Sequence, residues 1–153
     1  MVNTHCHIDH MGGKALLARI YGCPVAVPLI RKWDTRALWL DYADQRAEQF
    51  AVSAEVLAGS KQCWGELCWK ALAAPRHDMG ALMFYCEQEK LLISGDALWE
   101  SGFGVVLPDQ SGALAVARNT LDHIAALNVA LVIPGTASPS RILPPLWIAA
   151  TGA

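Results

Sequence analysis

Charge is scarce in this chain. Only 17% of its 153 residues are Asp, Glu, Lys or Arg, and the formal net charge is -2. That balance provides no basic surface for a polyanion, so nucleic acid is not an expected partner. Long apolar runs are lacking too. No stretch reaches the roughly 18 residues of a membrane-spanning helix, so no membrane partner is expected. The first residues, Met1-Val2-Asn3-Thr4-His5, carry no charged-then-apolar leader pattern. Cysteine is limited to five residues at irregular spacing, which predicts reduced thiols and a cytoplasmic protein. Repeats, low-complexity tracts and linkers are absent, so the chain reads as one unit. Apolar side chains, by contrast, are abundant. At 54% of residues they exclude disorder and imply a large core for a single domain of this length.

Strand and helix signals alternate along the chain. Gly12-Gly13 opens a short helical stretch with Leu16, Leu17 and Ile20 on one side. Pro24 to Pro28 reads as a short strand fenced by prolines. Thr35 to Phe50 predicts a helix, because Trp39, Tyr42, Ala43, Ala47 and Phe50 recur at spacings of three and four. Residues 66–74, 81–86 and 90–95 read as strands, the last two joined as a hairpin through Glu87-Gln88-Glu89. Ser111 to Leu127 predicts a second amphipathic helix burying Leu114, Ala117, Leu121, Ile124 and Ala125. Val129 to Ile133 is an all-apolar strand suited to cover on both faces. The order implies a layered α/β or α+β architecture.

Chemistry concentrates near the start, in Thr4-His5-Cys6-His7-Ile8-Asp9-His10-Met11-Gly12-Gly13. In an extended segment, alternation puts His5, His7 and Asp9 on one side. Imidazoles and a carboxylate that converge there suit Zn²⁺ or a similar cation. Gly12-Gly13 then lets the chain turn tightly.

This segment resembles the signature of the metallo-β-lactamase-fold hydrolases, which include glyoxalase-II-like thioesterases, lactonases and β-lactamases. Later motifs follow in order. Ala74-Pro75-Arg76-His77-Asp78-Met79-Gly80 is similar to the family's Pro-Gly-His turn. Leu92 to Leu98 is similar to its strand ending in Gly-Asp, here Gly95-Asp96. Val132-Ile133-Pro134-Gly135 is similar to the strand before its last histidine. The resemblance implies an α+β fold, the αββα sandwich. It also implies that His5, His7 and His77 hold a first metal, that Asp9 and His10 help hold a second, and that Asp96 bridges the two. The implied cofactor is one or two Zn²⁺ ions, with iron or manganese as alternatives. The implied reaction is metal-assisted hydrolysis of a small ester, thioester, lactone or lactam, with Asp9 orienting the activated water and passing on its proton.

The chain departs from the family pattern at several points. Arg76 stands where glycine usually precedes the histidine; were that position at positive φ, the arginine would be strained, and its charge would weaken cation binding. Thr136 stands where the family has a further second-site histidine, and threonine is a poor zinc ligand. The codons CCG GGC CAC GGC GAG CCC encode Pro-Gly-His-Gly-Glu-Pro. Loss of one C turns them into Pro-Gly-Thr-Ala-Ser-Pro, which are residues 134–139. Residues 1–135 therefore read as a partial metallo-hydrolase domain and residues 136–153 as a tail out of frame. The family also places a β-sheet before its first histidine motif, so the first strands are expected to be missing. The alternative to an enzyme is a truncated, inactive relative that retains at most one metal site.

Other residues carry less. Cys63 and Cys68 lack the partner pair of a zinc knuckle. Cys6 points away from its histidine neighbours and packs. His123 is expected at the surface, and Trp39 in a helix core. Trp99 and the Gly102-Phe103-Gly104 loop are candidates to line or cover a pocket.

Overall fold

The structure is a computed structural model and describes residues 1–41, 46–98, 112–135 and Pro139. Expectations that concern Tyr42, Ala43, Trp99, the Gly102–Gly104 loop, Thr136 and nearly all of the tail lie outside the described residues.

The fold is mixed α+β. Its elements in order are β1 (Tyr21–Gly22), α1 (Ala26–Lys32), β2 (Ala54–Glu55), β3 (Lys61–Trp64), β4 (Leu67–Ala73), β5 (Leu82–Cys86), β6 (Leu91–Gly95), α2 (Ala113–Ala126) and β7 (Leu131–Pro134). β1 and β2 pair in parallel, and Val2 adds a parallel bridge to Tyr21. The other five strands form one sheet in the order β3-β4-β5-β6-β7. Its first three pairings are antiparallel, whereas β6 and β7 run parallel, joined through the segment that contains α2. A parallel pair needs such a crossover, and a helix is its usual form.

The sheet separates two cores. Met83, Tyr85, Leu92 and Val132 pack with Ile124 of α2 on one face. On the other face, Trp69, Ala71, Leu82, Phe84 and Cys86 pack with Ile20, Ala26, Ile30 and Val56. Every residue of β5 is therefore buried, as expected for a central strand covered on both sides.

Several expectations need correction. Pro24–Pro28 is not a strand: α1 begins at Ala26 and includes Pro28 in its first turn, where a missing N–H costs nothing. The stretch after Gly13 is a single 3-10 turn, Lys14–Leu16, with Leu16 86% exposed and only Ile20 in the core. The buried stripe of α2 is Ala113, Ala117, Thr120 and Ile124; Leu114 and Ala125 face outward. Cys63 and Cys68 form a disulfide. They sit directly opposite each other in the β3–β4 hairpin, with Cα atoms 4.1 Å apart, so short spacing on a tight turn brings the sulfurs together. That pair removes the reduced-thiol argument for a cytoplasmic location. Cys6, Cys23 and Cys86 are free and buried. No helix among the described residues is long and apolar enough to cross a membrane.

The helix expected over Thr35–Phe50 does not form in its described parts. Asp34 caps one turn, its Oδ1 accepting from the Ala37 N–H at 3.0 Å, and Leu38 N–H donates to Asp34 O at 2.9 Å. The turn then closes. Leu40 N–H reaches back to Thr35 O at 3.0 Å and Trp39 N–H to Arg36 O at 3.3 Å, with Trp39 at φ +55°. This is the six-to-one, five-to-two pattern of a Schellman stop. The left-handed position usually takes glycine, and another residue there costs about 1–2 kcal/mol. Periodicity could not reveal this stop, because its usual sequence signal is missing.

Candidate metal centre

The site forms on the sheet edge where β4, β6 and β7 all end. Residues 1–3 run beside β1, with Asn3 N–H donating to Tyr21 O at 2.8 Å, and Leu82 N–H donates to Thr4 O at 2.7 Å. His5 thus emerges between the two sheets. Alternation holds for His5 and His7, after which Ile8–His10 curls into a 3-10 turn. That turn carries Asp9 and brings His10 back toward His5, whose ring centroid lies 4.0 Å away. His77 comes from the β4–β5 loop, and Asp96 follows β6 directly. Gly95 makes that end possible: it lies at φ +54°, and a Cβ there would come within 2.9 Å of Thr4.

Four histidines and one aspartate converge. Ligand atoms of His5, His7 and His77 lie within 4.8 Å of one another, as do those of His5, His10 and Asp96. Asp96 Oδ2 is 3.6 Å from Nε2 of both His5 and His77, and its Oδ1 is 3.0 Å from His10 Nε2. Asp9 belongs to neither three-residue group, but its Oδ2 lies 3.3 Å from His10 Nε2. His5, His7 and His77 are buried, whereas Asp9 is exposed. His5 Nε2, His10 Nε2, His77 Nδ1 and Asp96 Oδ1 are buried with no hydrogen bond of acceptable geometry, even across the close His10–Asp96 approach. Buried polar atoms normally find partners. Unsatisfied nitrogens and a carboxylate oxygen that face one another are what a cation site needs before its ion arrives, and this donor set suits a divalent metal.

Protonation favours the same use. Burial pushes the His5 imidazole down to about 2, reinforced by His10 and opposed by Asp96. Burial likewise lowers His7 and His77. Burial alone would raise Asp96, but His10, His5 and His77 together hold it below the ordinary carboxylate range. The imidazoles of His5, His7 and His77 therefore favour the neutral form and Asp96 the ionised form near neutral pH, the forms that bind metal.

Supporting contacts fix the loops. Asp78 ties the His77 turn to the first motif: its Oδ2 accepts from Cys6 N–H at 3.5 Å and its Oδ1 from Gly80 N–H at 2.7 Å. Cys6 is packed in the core as expected. Arg76 is buried and donates from Nη1 to Ala97 O at 2.6 Å, which links the His77 and Asp96 loops. Its φ is not positive, since among the described residues the non-glycine positions at positive φ are Trp33, Trp39 and Lys90; the conditional expectation of strain at Arg76 therefore fails. Lys14 is buried, and its Nζ donates to Asn3 Oδ1 and His10 O. The roles of Asp78, Arg76 and Lys14 had no signal in the sequence beyond adjacency to the motifs. Trp39, expected in a helix core, instead lies flat against His7. His123 is exposed.

Residues 1–136 match the family model described as the metallo-beta-lactamase superfamily. Among curated proteins, the hydroxyacylglutathione hydrolase of Bartonella quintana is 35% identical over 101 residues, covering 66% of this chain and 34% of that protein. The enzyme of the same name from Ectopseudomonas mendocina is 30% identical over 124 residues, 81% of this chain and 41% of that one. The chain thus spans less than half the length of these relatives. Among solved structures, the B3 metallo-beta-lactamase BLEG-1 superposes with a TM-score of 0.75 at 18% identity, over 92% of this chain and 70% of that one. A protein solved in a di-iron-bound form gives 0.70 at 25% identity, with the same coverage of 92% and 70%. A metallo-beta-lactamase family protein of Thermus thermophilus gives 0.67 at 22% identity, over 92% and 55%. With the family match covering nearly all of the histidine and aspartate cluster's host sequence, the chain belongs to the metallo-beta-lactamase superfamily.

Proposed function

We propose that this chain is the cation-holding part of a hydrolase in which His5, His7 and His77 hold one divalent ion, Asp9 and His10 help hold a second, and Asp96 reaches both. The observation that carries this reading is the set of buried imidazole nitrogens left without hydrogen-bond partners around Asp96. Bound there, a divalent cation would lower the pKa of water toward neutrality and polarise a substrate carbonyl. Zn²⁺ suits the donors best, with iron or manganese as alternatives. The protein's part is to present neutral imidazoles and an ionised Asp96 on loops locked by Asp78, Arg76 and Lys14. In this reading Asp9, exposed and 3.3 Å from His10, would orient the attacking water and pass its proton to the leaving group.

The substrate class we favour is a small thioester, because similar proteins carry the name hydroxyacylglutathione hydrolase; an ester, lactone or lactam is the wider class. A cavity of about 570 Å³ lies beside Gly13, Leu16, Leu40 and Arg46, on the loops that follow His10 and Trp39. None of the candidate ligands lines it, so it suits a remote part of the substrate better than the reacting bond. The test is metal analysis of the purified protein together with turnover of a chromogenic thioester, lactone and β-lactam panel. Bound metal with thioester turnover is expected, and no metal with no turnover would overturn the reading. A second reading, a relative with one filled site and no activity, is favoured by Thr136, which follows Gly135 where that glycine abuts His10 and Asp96. One bound metal without turnover would select it.

A further inference from the structure

We infer that Trp39 is a positioning residue for the first metal site, holding the His7 imidazole in its ligating orientation by stacking on it. This rests on the reading of His7 as a ligand. The indole and imidazole centroids are 4.2 Å apart with planes only 11° from parallel. The contact therefore lies face to face over the ring, where it resists rotation about the Cβ–Cγ bond that would swing the nitrogens away. Trp39 also lies 6.3 Å from His77, tilted by 58°, so one indole flanks two of the three imidazoles.

The backbone points the same way. Trp39 occupies the left-handed position that closes the Asp34–Leu40 turn, at φ +55°. Glycine is the residue such a stop favours. An indole there is disfavoured locally, and the stack on His7 is among the contacts that offset this. Trp33 makes the contrast. It closes α1 in the same conformation at φ +51°, and its ring meets Phe50 at 5.9 Å and belongs to the packing of the core. Trp39 is not among the described side chains that make up the two core clusters. Outer contacts that orient metal-binding histidines commonly change metal affinity 10- to 100-fold when removed.

The test uses Co²⁺ as probe on the intact chain and its variants Trp39→Phe, Trp39→Leu and Trp39→Ala. Co²⁺ affinity is read by competition with a chelating dye, and the folded fraction of each metal-free variant by its thermal transition. Trp39→Leu and Trp39→Ala are expected to bind Co²⁺ about 10-fold or more weakly. Trp39→Phe, which keeps a flat ring, should stay within about 3-fold of the parent. Leucine keeps apolar bulk without a face, so a drop in Leu rescued in Phe separates stacking from packing. As a second readout, Co²⁺ should quench the part of the tryptophan emission that the parent has and Trp39→Phe lacks. This works even if the smaller variants fail to fold. Equal affinity across all folded variants, or no quenching of that emission by bound Co²⁺, would overturn the inference. Failure of the parent chain to bind Co²⁺ at all would instead remove the metal-site reading beneath it.

Discussion

Gly135→Ala tests how tightly the end of β7 closes on the site. A Cβ built on Gly135 falls 2.3 Å from His10 Cε1 and 2.9 Å from its Nδ1, where ordinary contacts begin at 3.4 Å. The ring must retreat by about 1.1 Å, the difference between 2.3 and 3.4 Å, while Asp96 Oδ1 sits 3.0 Å from its Nε2 and 3.4 Å from the added Cβ. Overpacking of that size costs about 1–3 kcal/mol. The opposing effect is the lower backbone entropy of alanine in the unfolded chain, a gain of about 0.4–1 kcal/mol. Gly135 is not at positive φ, so no conformational term adds to the cost. Between those ranges the net loss runs from about 0 to about 2.6 kcal/mol, and the mid-range values leave the steric term ahead by about 1.3 kcal/mol. At roughly 2–4 °C per kcal/mol for a chain of this size, Tm should fall by about 3–5 °C at that mid-range value. Thermal unfolding of the metal-free protein followed by circular dichroism reads this directly. A double-mutant cycle sharpens it, because the clash is with the His10 ring alone. In a His10→Ala background the substitution should become neutral or slightly stabilising. If Gly135→Ala is as costly without the His10 ring as with it, the steric argument is wrong.

Three further predictions follow from the site and the hairpin. Because burial lowers the pKa of His5, His7 and His77 in the folded chain, their neutral forms favour folding fully above the unfolded value near 6.5. The metal-free protein should therefore lose stability as pH falls below about 6.5, by at most roughly 1.4 kcal/mol per pH unit for each such histidine, and a flat Tm between pH 7 and 5 would contradict this. Alkylation of the denatured, unreduced chain should add three labels, for Cys6, Cys23 and Cys86, and five after reduction releases Cys63 and Cys68; mass spectrometry counts them. In a gene with the codons given above, inserting one cytosine after codon 135 would restore Pro-Gly-His-Gly-Glu-Pro and should tighten binding of the second Zn²⁺, whereas unchanged affinity for that ion would reject Thr136 as the weak point of the second site.

The parts of this molecule legible in its sequence share a physical reason. The ligand motif could be read because short-range geometry sets it: alternation carries His5 and His7 to one side, and Gly12-Gly13 marks the following turn. β4 to β7 and α2 were legible from apolar runs and polar breaks. Their facing was less so. Thr120 is buried and Leu114 exposed on α2, because Thr120 donates its hydroxyl to Pro75 O at 3.1 Å and Val116 O at 3.2 Å, a tertiary choice that hydrophobicity alone misorders. The Thr35–Phe50 pattern misled for a different reason, since a Schellman stop with tryptophan in the glycine position leaves the three-and-four spacing intact while ending the turn. The Cys63–Cys68 bridge depended on knowing that a two-residue turn at Gly65 sets the register of β3 against β4. Arg76 lost its expected strain because its backbone never enters the left-handed region.

The placement of the site on the ends of β4, β6 and β7 has a kinetic consequence. His5 and His77 are separated by 72 positions and His5 and Asp96 by 91, counted from their residue numbers. No short peptide from this chain can gather them, so the contacts that make the site are among the most non-local in the fold. Contacts of that kind form late and slow folding. A cation held by them discriminates sharply between native and unfolded chain, and at 100 times its dissociation constant it would add about 2.7 kcal/mol to the native state. The ion would then serve as a removable cross-link across 91 residues of loop, securing the end of the folding process.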